Sequence, residues 1–141
     1  MGKSAAFKND IQELIFFGTA IPGIAQNHAS PATVYWLSLH VTDPTAGNQA
    51  TGEVSYPGYG RVAVVRTTSG WEVVDNVAGL LNNVDFPECT GAASLSAAYA
   101  GIGTSETGTG YLMLVGALNP AIAISLGTTP RIGDTSTITE I

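Results

Sequence analysis

From Thr33 onward apolar residues recur at every second position, and before it they recur at helical spacing. Tyr35, Leu37, Leu39 and Val41 alternate toward one face of a strand, Asp43-Pro44 and Gly47-Asn48 break it, and Val62 and Val64 restart the alternation. The same period predicts strands over Thr33–Val41, Arg61–Thr67, Trp71–Val74, Val77–Phe86, Ala93–Ile102, Tyr111–Leu118, Ala121–Leu126 and Thr135–Ile141. Ser69-Gly70 suits a tight hairpin between the second and third, because glycine accepts the positive φ that such turns require. The inward positions are Tyr35/Leu37/Leu39, Val62/Val64, Trp71/Val73, Val84/Phe86, Leu95/Tyr99, Met113/Val115 and Ile122/Ile124.

Upstream, Phe7, Ile11, Leu14 and Ile15 mark one face of a short amphipathic helix near Phe7–Phe17, with Asn9 and Gln12 as a candidate capping box and Gly18 as its stop. Gly18 to Pro31 reads as an irregular connector. The expected organisation is an N-terminal helix and extended arm over 1–30, then a β-sandwich domain over 31–141. Many short strands at regular spacing imply an all-β fold: a jelly-roll-like sandwich with a short N-terminal helix.

Composition narrows the partners. Charged residues are only 11% of the 141, against about 25% in an average domain. A surface so poor in charge implies either cover by copies of itself or by a larger scaffold, or an abundance of solvated Ser/Thr/Gly loops. The formal charge of −6 argues against nucleic acid, whose phosphates need a clustered basic stripe. Asn9, Asp10, Gln12 and Glu13 stand where a signal peptide would be continuously apolar, so the protein is expected to stay in the cell that makes it. The apolar stretch from Tyr111 to Gly127 is interrupted at Gly116 and Asn119-Pro120 and reads as strands rather than a membrane span. Cys89 is the single cysteine and is expected to be a buried small hydrophobe.

No catalytic constellation accompanies this pattern, and the expectation is a protein that is not an enzyme and needs no cofactor or metal. Gly101-Ile102-Gly103-Thr104-Ser105-Glu106 lacks both the third glycine of a dinucleotide loop and the lysine of a phosphate loop, so a hairpin loop is the better reading. His28 and His40 match no familiar ligand spacing, and His40, close to Ser38 and Asp43, suits a local hydrogen bond that fixes the start of the following loop. No serine occupies a Gly-x-Ser-x-Gly elbow. The proline-acidic neighbourhood of Cys89, Pro87-Glu88, does not suit an activated nucleophile.

The segment that stands out is the loop from Asp43 to Arg61. Tyr56, Tyr59 and Arg61 are residue types enriched at interface hot spots. The competing reading is internal closure: the tyrosines seal one end of the sandwich and Arg61 pairs with Glu53. The apolar helix face Phe7/Ile11/Leu14/Ile15 is the second candidate contact surface.

Leu39-His40-x-x-Asp43-Pro44, Gly47-Asn48-Gln49 and Glu53-x-x-Tyr56-x-Gly58-Tyr59-x-Arg61-Val62-Ala63-Val64 resemble the signature of a family of short virion structural proteins from tailed bacteriophages and prophages. Trp71, Phe86-Pro87-x-Cys89-Thr90-Gly91 and Gly101-Ile102-Gly103 extend the likeness over nearly the whole chain. The resemblance implies a virion protein made in the host cytoplasm. With a jelly-roll-like sandwich, the expected role is a capsid cement or decoration protein. It would sit on the capsid exterior across junctions of the major capsid protein and associate with itself as a homodimer or trimer. Phe7, Ile11, Leu14, Ile15, Tyr56, Tyr59 and Arg61 would then be candidate interface residues. Members of the family are also called fibre-like, and the alternative expectation is a fibre or tail-tip module that binds a host receptor through Trp36, Tyr56 and Tyr59.

Overall fold

In the computed structural model, which describes residues 2–139 and 141, the N-terminal apolar spacing produces helix α1 over Ala5–Phe17. Ser4 sets its start by accepting a hydrogen bond from the Phe7 N–H at 3.2 Å. The expected Asn9–Gln12 box does not form the cap. Asn9 donates to Glu13 Oε1 one turn on, and Gln12, only 2% exposed, donates to the carbonyls of Asn76 and Ile138, each at 3.2 Å. Gly18 ends the helix at φ 72°, and the N–H groups of Gly18 and Thr19 reach the carbonyls of Leu14 and Glu13. Arg66 reinforces that terminus. Its guanidinium donates to the carbonyls of Ile15 at 2.5 Å and Leu14 at 2.6 Å, placing a cation at the negative end of the helix dipole.

The alternating segments become strands β1 (Val34–His40), β2 (Val62–Val65), β3 (Trp71–Val74), β4 (Val77–Leu80), β5 (Val84–Asp85), β6 (Ser94–Gly103), β7 (Leu112–Ser125), β8 (Arg131–Ile132) and β9 (Thr137–Thr139). They form sheets in the orders β2-β1-β6-β7, β3-β4-β9 and β5-β8. Pairing is antiparallel between β1 and β6, β6 and β7, β3 and β4, and β4 and β9. The fold is thus all-β with one short N-terminal helix, consistent with the sandwich class that the alternation predicts.

The residues divide into two compact units that interleave in sequence. The first comprises Met1–Thr33, Val65–Asn83 and Ile132–Ile141. Here α1 packs on β3 and β4, and the fully buried Phe16 meets Trp71 with ring centroids 4.7 Å apart. The second comprises Val34–Val64 and Val84–Arg131. Its centre is β1, where Tyr35, Leu37 and Leu39 are buried on one face and Ser38 and His40 on the other. Val54, Tyr56, Phe86, Cys89 and Ile124 join this core.

The observed strands differ from the sequence reading at several points. Tyr111–Leu118 and Ala121–Leu126 fuse into the single strand β7. It lies at a sheet edge, where a proline without an N–H is tolerated, and its register against β6 shifts between Ala97 and Tyr99 to absorb the Asn119-Pro120 segment. Val77–Phe86 divides into β4 and β5, because the Asn83 side chain between them turns aside to accept from the Asp134 N–H at 2.9 Å. Ser69-Gly70 makes no β2–β3 hairpin, since β2 and β3 belong to different sheets. The tight hairpin instead joins β3 to β4 at Asp75-Asn76, with Asp75 at φ 55°, a conformation that aspartate tolerates. At the C-terminus β9 covers Thr137–Thr139 of the expected Thr135–Ile141 strand, and position 140 lies outside the described residues.

Phe16 should therefore anchor the helix far more than the residues of its outer turns. Phe16→Ala is expected to cost about 3–5 kcal/mol, read as a lower urea midpoint in tryptophan-fluorescence unfolding, whereas Phe7→Ala, at a half-buried site, should cost less than half as much.

Candidate functional site

The long connection from β1 to β2 is built by short polar turns. Asp43 Oδ1 accepts from the Thr45 N–H at 2.9 Å and from its hydroxyl at 2.5 Å, and these bonds hold the exposed carboxyl below the usual carboxylate range. Asn48 accepts from the Ala50 N–H, and Thr51 Oγ1 accepts from the Asn48 N–H. These turns deliver Gln49, with no exposed surface, beneath the loop that joins β6 to β7. Its amide oxygen accepts from the Ser105 N–H at 3.0 Å and its backbone N–H donates to Thr109 O at 2.8 Å. A Cβ at Gly103 or Gly110 would fall 2.1 Å from this Gln49 side chain, so both positions leave the room that the glutamine occupies.

Glu53, Tyr59 and Arg61 complete a clamp on the same loop. Arg61 forks onto Glu53 through Nε to Oε1 and Nη2 to Oε2, both at 2.8 Å. Its remaining donors reach Ser105 O at 2.8 Å and Gly108 O at 2.6 Å. The Arg61 side chain is 3% exposed and that of Glu53 16%, and the Glu53 hydrogen bonds hold the guanidinium pKa above its usual value. Tyr59 donates its hydroxyl to Glu53 Oε1 at 2.7 Å while accepting from the Leu39 N–H at 3.2 Å. Burial drives its phenol pKa well upward. Tyr56, 4% exposed, donates to Pro87 O at 2.8 Å, and burial pushes its phenol up to about 12. The Tyr56 and Tyr59 rings meet edge to face at 5.2 Å, and Tyr59 stacks on Phe86 at 6.3 Å.

His40 fixes the start of the connection from the opposite face of β1. Its Nε2 lies 2.8 Å from Ser38 Oγ, and its Nδ1 lies 2.8 Å from Thr51 O. A serine beside an imidazole is two-thirds of an acyl-transfer triad, yet the third member here is a carbonyl, and Ser38 and His40 have no exposed surface for a substrate to reach. Burial is the largest influence on this imidazole and pulls its pKa below 6.5, with the Thr51 carbonyl and the Glu53 charge opposing.

The structure brings Tyr56, Tyr59 and Arg61 together in the second unit and gives each an internal partner. Phe7, Ile11, Leu14 and Ile15 lie half-buried along α1 in the first unit. The sequence reading did not assign Gln49 or the carbonyls of Ser105 and Gly108 to the site. The paired glycines at 103 and 110 around a Ser/Thr loop were the signal, because they bracket the volume that the glutamine fills. What the clamp leaves facing outward is the loop tip at Glu106, Thr107, Gly108 and Thr109, all exposed.

Arg61→Ala is expected to cost about 3–5 kcal/mol, because Glu53 would be left in a mostly buried site without its counter-charge. Amide exchange over residues 104–110 should accelerate in that variant while β3 and β4 exchange as before. His40 gives a pH dependence. The unfolded chain takes up its imidazole proton near pH 6.5, and the folded chain only at lower pH, so stability is full above that value and falls as pH drops through the window beneath it. Urea midpoints at pH 7.5 and 5.5 should show this loss in the wild type, and His40→Gln should flatten the dependence.

The whole arrangement, from helix to last strand, lies within one family match. Residues 3–139 match the model for a family described as Podophage GP4 fiber I protein gp80. Among curated proteins no sequence matches the chain. With nearly its full length covered, the chain belongs to the Podophage GP4 fiber I protein gp80 family, a family of phage virion structural proteins.

Proposed function

We propose that this chain is a structural module of a virion fibre, acting through protein–protein contacts rather than catalysis. The observation that carries the reading is the match of residues 3–139 to a fibre-protein family. The geometry supports it in one respect: the polar side chains with the greatest chemical potential, Glu53, Tyr59 and Arg61, are spent on stiffening the module. A load-bearing appendage requires stiffness of this kind. Tyr56 and Tyr59 are occupied internally, so recognition of a host surface would fall to the exposed loop tip over residues 106–109 rather than to a tyrosine platform. The acidic balance of −6 fits partners that are proteins rather than nucleic acid.

Imaging of the parent particle by cryo-EM tests the reading against the cement role implied by the sequence resemblance. A fibre module is expected in a few copies per appendage at the tail vertex. Hundreds of copies spread over the shell, at junctions of the major capsid protein, would overturn the fibre reading in favour of cement.

A further inference from the structure

The four-stranded sheet has two edges of opposite character. At one, β2 has only four residues and is flanked by Arg61 and Arg66; shortness and charge are how natural sheets blunt an edge. At the other, β7 runs for 14 residues, Leu112–Ser125, and no further strand pairs with it among the described residues. From Thr107 to Pro130 the sequence contains no charged residue.

We infer that the β7 edge pairs with the β7 edge of a second copy of this chain, across a two-fold axis, to make one sheet continuous over both chains. The inference rests on the fibre-module reading only for where such a pair would be used. Three observations select a second copy as the occupant. The first is charge: copies of a −6 protein repel, and the strip from Thr107 to Pro130 is where they can approach without opposing like charges. The second is Gly116. Glycine within a strand is unfavourable and commonly marks the close approach of another backbone. On the neighbouring β6, the chain itself explains Gly101 and Gly103, whose Cβ atoms would collide with Ser38, His40 and Gln49. A Cβ at Gly116 would meet nothing within 4 Å, so no neighbour in its own chain crowds this position and the edge is open there to another backbone. The third is exposure. Gly116 and Ala117 are exposed on successive positions, hence on both faces of the strand, and Tyr111 and Leu126 beyond its ends are 70% and 67% exposed.

The pairing segment is Leu112–Ala117. It lies opposite Tyr99–Gly103 of β6, and beyond it the register shifts and Pro120 has no N–H to offer a ladder. Since the β2 edge is blunted, the four-stranded sheet offers one open edge, and pairing of that edge with its own copy across a two-fold axis closes at two.

Sedimentation equilibrium of the full chain tests this. The wild type is expected at twice the 14.5 kDa chain mass, with amide exchange over 112–117 slowing as concentration rises. Gly116→Glu and Ala117→Glu place like charges across the axis in positions that are open in the single chain, and should raise the dissociation constant at least about tenfold with unchanged circular dichroism. Ala63→Glu, on the β2 edge, should leave it unchanged. A wild type that stays monomeric at about 100 µM, a trimer, or a dimer whose 112–117 exchange ignores concentration would overturn the proposal. The exchange measurement uses the wild type alone and so decides even if a variant misfolds. A dimer found off the fibre would keep this contact and remove the fibre role, and a monomer found in the fibre would do the reverse.

Discussion

The second unit depends on one desolvated ion pair. Glu53 and Arg61 stand on the same connection, yet their value lies in what they reach elsewhere. The guanidinium spans from the carboxylate to two carbonyls of the β6–β7 loop, so a pair close in sequence welds a distant hairpin to the base of its own loop. A bidentate pair of this kind also has geometric specificity that a lysine could not supply. With Tyr59 bonded to both Glu53 and the Leu39 backbone, the clamp reaches the central strand. Loop, hairpin and core thereby become one hydrogen-bonded body. The cost of desolvating the charges is offset because each of the three nitrogens of Arg61 finds an acceptor.

Period-two alternation made β1, β6 and the all-β class legible, because a half-buried strand must segregate its faces. Helix α1 was legible through Phe7, Ile11, Leu14 and Ile15, though its start was not: Ser4 lies one turn upstream of the apolar face. The pairing of Arg61 with Glu53 could be stated from sequence as one of two alternatives, since a fork and a carboxylate eight residues apart suit each other. The burial of Gln49 leaves no mark in its own neighbourhood, where nothing distinguishes a buried glutamine from a solvated one. Its burial is decided by partners at Trp36, Ser105 and Thr109. The same limit explains β7. Asn119-Pro120 reads as a break by local rules, and only position at a sheet edge lets the strand continue through it.

The motif that resembled a virion family therefore signals architecture more than contact. Its histidine, glutamine, glutamate, tyrosines and arginine are turned inward, each on a partner within the chain. Interior side chains of this kind record how the domain is built rather than where it sits on the particle.

The interleaving of the two units has a consequence for inheritance. Each unit is assembled from segments separated by parts of the other, and Gln12 is tied to Ile138 across almost the full length of the chain. A genetic crossover anywhere between residues 34 and 131 would give both units mixed parentage, forcing two cores to re-fit at once. An exchanged segment is tolerated best where it folds by itself. Between residues 34 and 131 the two units offer no such seam, so this stretch should be inherited as an undivided block.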